Sequence, residues 1–357
     1  MNRLLDDART RFSLPDELAA QQPPEARGLR RDQVRLLVAT PERLCHTRFD
    51  RLGGYLRPGD LLVVNNSATL AAAVDGTWPD GTPVPVHFSG PAGQGDWVVE
   101  PRQPDQSGPV RDAAGGAVIR LPDGATLTLL SAVGAAGRLW RARLREGAAG
   151  SPGDVQGYLF DHGRPIAYGY LRRRFALSAY QTVFARVPGS AELPSAGRPF
   201  SERLVTALVA AGVTVAPITL HTGVSSQETG EAPLAERFEV PARTAALVNL
   251  AHRQGGRVVA VGTTVARALE TVAHPDGRVE AGAGWTELVL GPGRPARTVD
   301  GLVTGFHPPD ASHLLLLEAI ASTVDLVQRA YDAAVAQRYL WHEFGDSCLL
   351  LPATVRR

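Results

Sequence analysis

Apolar and polar positions alternate along this chain with two different periods, and the two interleave. Short apolar runs at residues 34–38, 61–64, 213–220, 257–261 and 285–290 read as strands, several entered through turn residues such as Arg57-Pro58-Gly59-Asp60. Between them, helical spacing predicts a short amphipathic helix at 49–56 and helices at 244–254, 265–272 and 314–326. A further helix begins at Ser201, a hydroxyl suited to an N-cap, and carries Leu204, Val205, Leu208 and Val209 on one face. Strands alternating with helices predict an α/β unit, a mixed sheet or barrel with flanking helices. Residues 73–156 differ: short alternating runs at 84–88, 97–100, 117–121, 126–130 and 139–144 are separated by turns such as Pro79-Asp80-Gly81 and Pro122-Asp123-Gly124. That spacing predicts a small, barrel-like all-β domain inserted into the α/β unit, which then comprises residues 1–72 and 157–357.

Composition narrows the function classes. At 357 residues the chain can bury a large core and divide into two domains, and its net charge of +1 advertises no general nucleic-acid field. All basic residues other than histidine are arginine; the absence of lysine excludes Schiff-base, lysine-base and Walker-type chemistry. Cys45 and Cys348 stand far apart in no metal spacing, so neither a metal nor a disulfide framework is expected. The opening residues lack an apolar signal core and no run reaches membrane-spanning length, so a soluble, cytoplasmic protein without a membrane partner is expected.

Candidate chemistry collects where strands end. Asn65 and Asn66 follow the strand at 61–64, and His221 follows the strand at 213–220 and precedes a threonine and a glycine. Gly262-Thr263-Thr264 turns a strand into a helix; its N–H groups and two hydroxyls suit a carboxylate or a ribose, and it is no G-x-G-x-x-G fingerprint. The loops Pro188-Gly189-Ser190 and Pro194-Ser195-Ala196-Gly197 also feed a helix, as an anion site or as ordinary connections. Arg172, Arg173 and Arg174 form the densest basic cluster, either a solvated face or a phosphate contact. His87 reads as a packed strand residue, Arg267 and Glu270 as a helical ion pair, and Asp346 as a turn residue or a substrate contact.

The order of these segments matters. YQTVFA-x-x-PGS-x-x-x-PSAG-x-x-F resembles the S-adenosylmethionine:tRNA ribosyltransferase-isomerases of queuosine biosynthesis, whose signature reads YQTVYA…PGS…PTAGLHF. The resemblance runs from Phe12 to Leu351 and includes GDLLVVNN, TLHTG, RVVAVGTTVARALE, VDGLVTGFH and YLWHEFGDSCLL, the last against Y-R-F-F-S-Y-G-D-A-M-L-I. There are departures. Asn66 and Ala68 replace Asp and Arg, Arg198-Pro199 replaces Leu-His, and Gly305 replaces Asn. The H-x-M-H-x-E element is reduced, across residues 231–236, to Glu236.

The resemblance implies that S-adenosylmethionine donates its ribosyl group: the sulfonium acidifies the adjacent ribose carbon, a base takes that proton, and adenine and methionine leave. The sugar carbons rearrange onto the amine of 7-aminomethyl-7-deazaguanine in tRNA. It implies His221, His307, Glu236 and Asp300 as catalytic candidates, with Asp300 and His307 an ionisable pair. Substrate contacts would come from Asn65, Asn66, Tyr180, Gln181, Phe184, Ser195, Gly197, Arg198, Gly262, Thr263, Thr264, Phe306 and Asp346. The departures keep two alternatives open: a paralog serving another, small-molecule acceptor, and a non-catalytic S-adenosylmethionine-binding protein. A monomer is expected.

Overall fold

Four parallel strands, Thr214–Leu220, Leu61–Asn65, Val258–Val261 and Gly301–Gly305, lie side by side in that order at the centre of the chain. The computed structural model describes residues 8–134, 136–147, 151–224, 234–291, 293–309 and 311–353; the seven opening residues lie outside that set. Antiparallel Glu236–Val240 and Gly282–Thr286 extend one edge of the sheet. On the other edge Ser347–Leu350 runs antiparallel to Gly301–Gly305, followed by Arg35–Ala39 and Leu44–Arg48. The result is an open, mixed nine-stranded sheet, and the α/β unit takes the sheet form of the two expected.

Both faces of this sheet are covered, which explains why its central strands read as unbroken apolar runs rather than as alternations. Leu61 and Val63 join a core with the helices Ala242–Arg253, Thr263–Thr271, His313–Ala321 and Val324–Ala336. Leu62 and Val64 face the other way, onto Phe49, Phe200, Leu204 and Leu208 of the Phe49–Tyr55 turn, the 195–200 loop and the Glu202–Ala210 helix. Burying each such side chain stabilises by about 1.5–3 kcal/mol. Ser201 caps the latter helix as expected, its Oγ accepting from Leu204 N at 3.2 Å.

Three sequence expectations need correction here. The 49–56 segment is a 3-10 helix, Phe49–Tyr55. The apolar run at 314–326 is two helices, because Ser322 adopts φ 58° and Thr323 caps a second helix beginning at Val324. The strand expected at 285–290 ends at Thr286, and Leu288 to Leu290 leave the sheet to line a cavity.

The inserted segment closes into a six-stranded antiparallel barrel, in the order Ala73–Thr77, Pro83–Gly93, Asp96–Pro101, Leu139–Glu146, Thr126–Val133 and Val118–Arg120. The last strand pairs back to the first through Thr77 and Arg120. Closure leaves no free edge. Val86, Phe88, Val99, Ile119, Leu127 and Leu129 fill it, and the helix Val155–His162 packs Val155, Tyr158 and Leu159 onto the same core. His87 is fully buried in its strand beside Glu100, which pairs with Arg102 at 2.8 Å and with Arg138.

Candidate active site at the carboxyl ends of the central strands

Because the four central strands are parallel, Asn65, Leu220, Val261 and Gly305 finish at one edge of the sheet, where open α/β sheets bind ligands. A cavity of about 590 Å³ lies there. Gly262, Thr263 and Thr264 form part of its wall. Gly262 has φ +101° and a Cβ there would meet the Ala196 Cβ at 3.3 Å, so this turn requires glycine. The helix Thr263–Thr271 therefore presents its first N–H groups to the cavity, a cradle for an anion. Tyr180, Ser195, Phe306, His307 and Glu236 also line it, so eight of the residues singled out in the sequence meet around one space.

Glu236 is the acid among these eight. Its Oε1 accepts from Gly223 N at 3.2 Å and its Oε2 pairs with Arg267 Nη1. Arg267 in turn donates to the carbonyls of Leu288 (3.1 Å) and Thr286 (3.2 Å). Burial pushes the Glu236 carboxyl above the ordinary carboxylate range, and the Arg267 guanidinium pulls it back. The expected pairing of Arg267 with Glu270 does not form. Glu270, fully buried, accepts backbone N–H bonds from Arg297, Thr298 and Val299.

The two histidines differ. His307 lines the cavity, with Nε2 at 3.0 Å from Thr304 Oγ1 and its ring stacked on His313 at 4.5 Å. Burial, with His313 and His342 nearby, drives His307 well below the ordinary histidine range, and burial takes His313 down to about 4. His221 flanks the cavity beside Thr222 and Gly223, which line it. Its Nδ1 sits 2.8 Å from Ser67 Oγ, which is 2.6 Å from Ser190 Oγ. Its ring lies against Gly189 so closely that a Cβ there would collide with it. Burial, then Arg237, lowers its proton affinity.

Other expected contacts serve the framework. Asn65 ties strands together, donating to Leu220 O at 2.8 Å and accepting from Leu220 N and Ser67 N at 3.0 Å. Asn66 Oδ1 accepts from Thr219 Oγ1, and Gln181 exchanges two bonds with the Thr69 backbone. Phe184 packs edge-on against Phe200, and Gly197 lies buried against Thr182 and Phe184. Arg198 is buried, donating to Ala179 O and pairing with Glu25 at 2.8 Å. Asp346 accepts from Arg35 N and Leu340 N, both at 2.8 Å, tying the Leu340 loop to the start of the Arg35–Ala39 strand. Asp300 sits at the amino end of its strand, bonded to Val258 N and His252, so the expected Asp300–His307 pair does not form. Residues 231–233 of the reduced H-x-M-H-x-E element lie outside the described residues.

One wall of the cavity is built from residues outside the sequence candidates: Tyr168, Tyr170, Glu192, His342 and Glu343. Tyr168 donates to Glu192, and Tyr170 donates to Glu343. The two phenol rings stack at 6.2 Å, and His342 stacks on Tyr170 at 4.4 Å. Glu343 stands at the Ser, and His342 at a Phe, of the pattern Y-R-F-F-S-Y-G-D, so this departure adds ionisable groups. Burial pushes the Glu343 carboxyl up to about 7, against the Tyr170 bond and helped by Glu192. A carboxyl raised in the folded state stabilises it below the unfolded value of 4.5, and that contribution disappears as pH rises through about 7. The wild-type melting temperature is therefore expected to fall between those limits more than that of Glu343→Gln, which calorimetry across the range checks.

Among the described residues no group of three or more His, Cys, Asp or Glu is arranged to hold a metal, and no helix is long and apolar enough to cross a membrane.

Comparison with known proteins adds the following. Residues 8–350 match the model of a family described as queuosine biosynthesis protein. An S-adenosylmethionine:tRNA ribosyltransferase-isomerase of Azoarcus sp. is 35% identical over 95% of this chain and 95% of its own. One from Anaeromyxobacter sp. is 37% identical over 96% of this chain and 98% of its own. The crystal structure of an S-adenosylmethionine tRNA ribosyltransferase from Thermotoga maritima superposes with a TM-score of 0.53 at 27% identity, covering 96% of this chain and 99% of that one.

Proposed function

The chain belongs to the queuosine biosynthesis family of S-adenosylmethionine:tRNA ribosyltransferase-isomerases, and from that premise we propose that the strand-end cavity is its reaction chamber. The protein is an S-adenosylmethionine-dependent ribosyltransferase-isomerase. It transfers and isomerises the ribosyl moiety onto 7-aminomethyl-7-deazaguanine in tRNA and releases adenine and methionine. The observation that carries the assignment to this cavity is that the Gly262–Thr264 cradle, Glu236 and the aromatic faces of Tyr180 and Phe306 line one space.

Each group has work suited to it. The N–H groups and hydroxyls of Thr263 and Thr264 bind the methionine carboxylate of the donor. Tyr180 and Phe306 offer faces to the sulfonium and to the bases. Glu236 takes the acidified ribose proton. It is ionised by Arg267 yet largely stripped of water, which makes a carboxylate a stronger base than it is in solution. His307 and His221, both pushed away from neutrality, act as neutral hydrogen-bonding rings that position substrate.

Arg172, Arg173 and Arg174, exposed just beyond the cavity-lining Tyr170, supply cations for tRNA phosphates. The closed barrel supports treating residues 73–156 as a separate unit. The reading puts the protein in the cytoplasm with its tRNA, consistent with two free cysteines, and takes it as a monomer. The test is adenine release from S-adenosylmethionine in the presence of tRNA carrying the deazaguanine base.

A further inference from the structure

One wall of the cavity is more acidic than the donor requires. Glu192 and Glu343 both line it, and each already receives a tyrosine hydroxyl, from Tyr168 and Tyr170. Among the described residues no arginine or histidine forms an ion pair with Glu343. A carboxylate withdrawn from water without a cation is unfavourable, so the site is complete only when the acid is protonated or a cationic group enters.

A separate observation points to a ligand. Tyr180 lines the same cavity, is 3% exposed, and its buried hydroxyl has no hydrogen-bond partner among the described residues. Glu343 is close enough to act electrostatically on that phenol. The stacked rings of Tyr168, Tyr170 and His342 add π faces beside the carboxylates. Glu192 acts electrostatically on both Glu343 and Glu236, so it links this wall to the carboxylate assigned to the ribose proton.

We propose that Glu343 and Glu192, with the Tyr180 hydroxyl, form the site that holds the primary ammonium of the acceptor beside the ribosyl group. This rests on the transfer reaction assigned above and adds the residues that select its acceptor. The donor's carboxylate is served from the Gly262–Thr264 turn, a different strand end. Three ammonium protons meet two carboxylates and one phenol oxygen, a match of donors to acceptors with net negative charge facing the cation. Because Glu343 replaces the Ser of the family pattern, the carboxylate contact belongs to this chain and not to that pattern.

The test is calorimetric titration at about pH 8, where a carboxyl of this kind is ionised and an alkylamine is still protonated. The ligands are free 7-aminomethyl-7-deazaguanine and its 7-ethyl counterpart, in which a methyl replaces the amine. Wild type should prefer the amine, and Glu343→Gln should weaken the amine by about tenfold or more while leaving the ethyl compound unchanged. Adding Glu192→Gln should weaken the amine further. Tyr180→Phe, which removes one oxygen from a buried ring, should reduce the preference by a smaller factor and guards against a folding defect in the acid variants.

Equal binding of both ligands by wild type, or equal losses for both ligands in the variants, would overturn the proposal. So would a selective loss of S-adenosylmethionine affinity, which would assign the acids to the donor. If no adenine is released with modified tRNA while the amine preference still depends on Glu343, the reaction assignment fails and the ammonium site stands.

Discussion

Glu236→Gln is expected to lower kcat by about 10²- to 10⁴-fold, the range associated with losing a positioned general base, while S-adenosylmethionine affinity changes only a few-fold. The substitution preserves size and an acceptor oxygen for Gly223 N, but it removes the charge that faces Arg267 and the capacity to take a proton. Single-turnover adenine release at saturating donor measures the chemical step, and equilibrium titration measures binding. The histidines are the competing assignment. Full activity in Glu236→Gln together with collapse in His307→Ala or His221→Ala would move the base to an imidazole. Their displacement away from neutrality argues for the carboxylate.

The largest effect on stability is expected at Glu270, a residue with no proposed contact to substrate. Its buried carboxylate gathers the N–H groups of Arg297, Thr298 and Val299 and so fixes the loop entering the Gly301–Gly305 strand. Glu270→Ala leaves these donors facing an empty space and is expected to cost about 3–5 kcal/mol, as for removal of one member of a buried polar cluster. Glu270→Gln, which retains one carbonyl oxygen, should lose less. Denaturant unfolding of the two variants checks the order. Equal stability of Glu270→Ala and wild type would show that the loop is held by other contacts.

The frame of the molecule was legible because its central strands are buried on both faces and its barrel strands alternate, so each wrote its period into the sequence. Gly262-Thr263-Thr264 was legible as a strand-to-helix turn for a local reason: a strand, a glycine and a helix are contiguous there. What could not be read is any arrangement that depends on which strand end lies beside which. Asp300 and His307 are seven residues apart, yet a strand separates them by its full length. Arg267 turns from Glu270, one turn along its own helix, to Glu236 on a neighbouring strand, because that strand packs against the helix. Asn65, Gln181 and Arg198 carry polar groups that a ligand could use. The structure uses them to satisfy backbone groups where strands and loops meet. The Tyr168–Glu192 and Tyr170–Glu343 bonds join loops 24 and 173 residues apart, and only the mismatch of Glu343 with the Ser of the family pattern signalled them.

Adenine release tests the central claim most directly, because loss of the base from the ribose separates ribosyl transfer from methyl transfer and from binding alone. Purified protein with S-adenosylmethionine should release adenine in proportion to added tRNA bearing 7-aminomethyl-7-deazaguanine, and should release none with unmodified tRNA. Binding of S-adenosylmethionine with no adenine released in the presence of the modified tRNA would contradict the account.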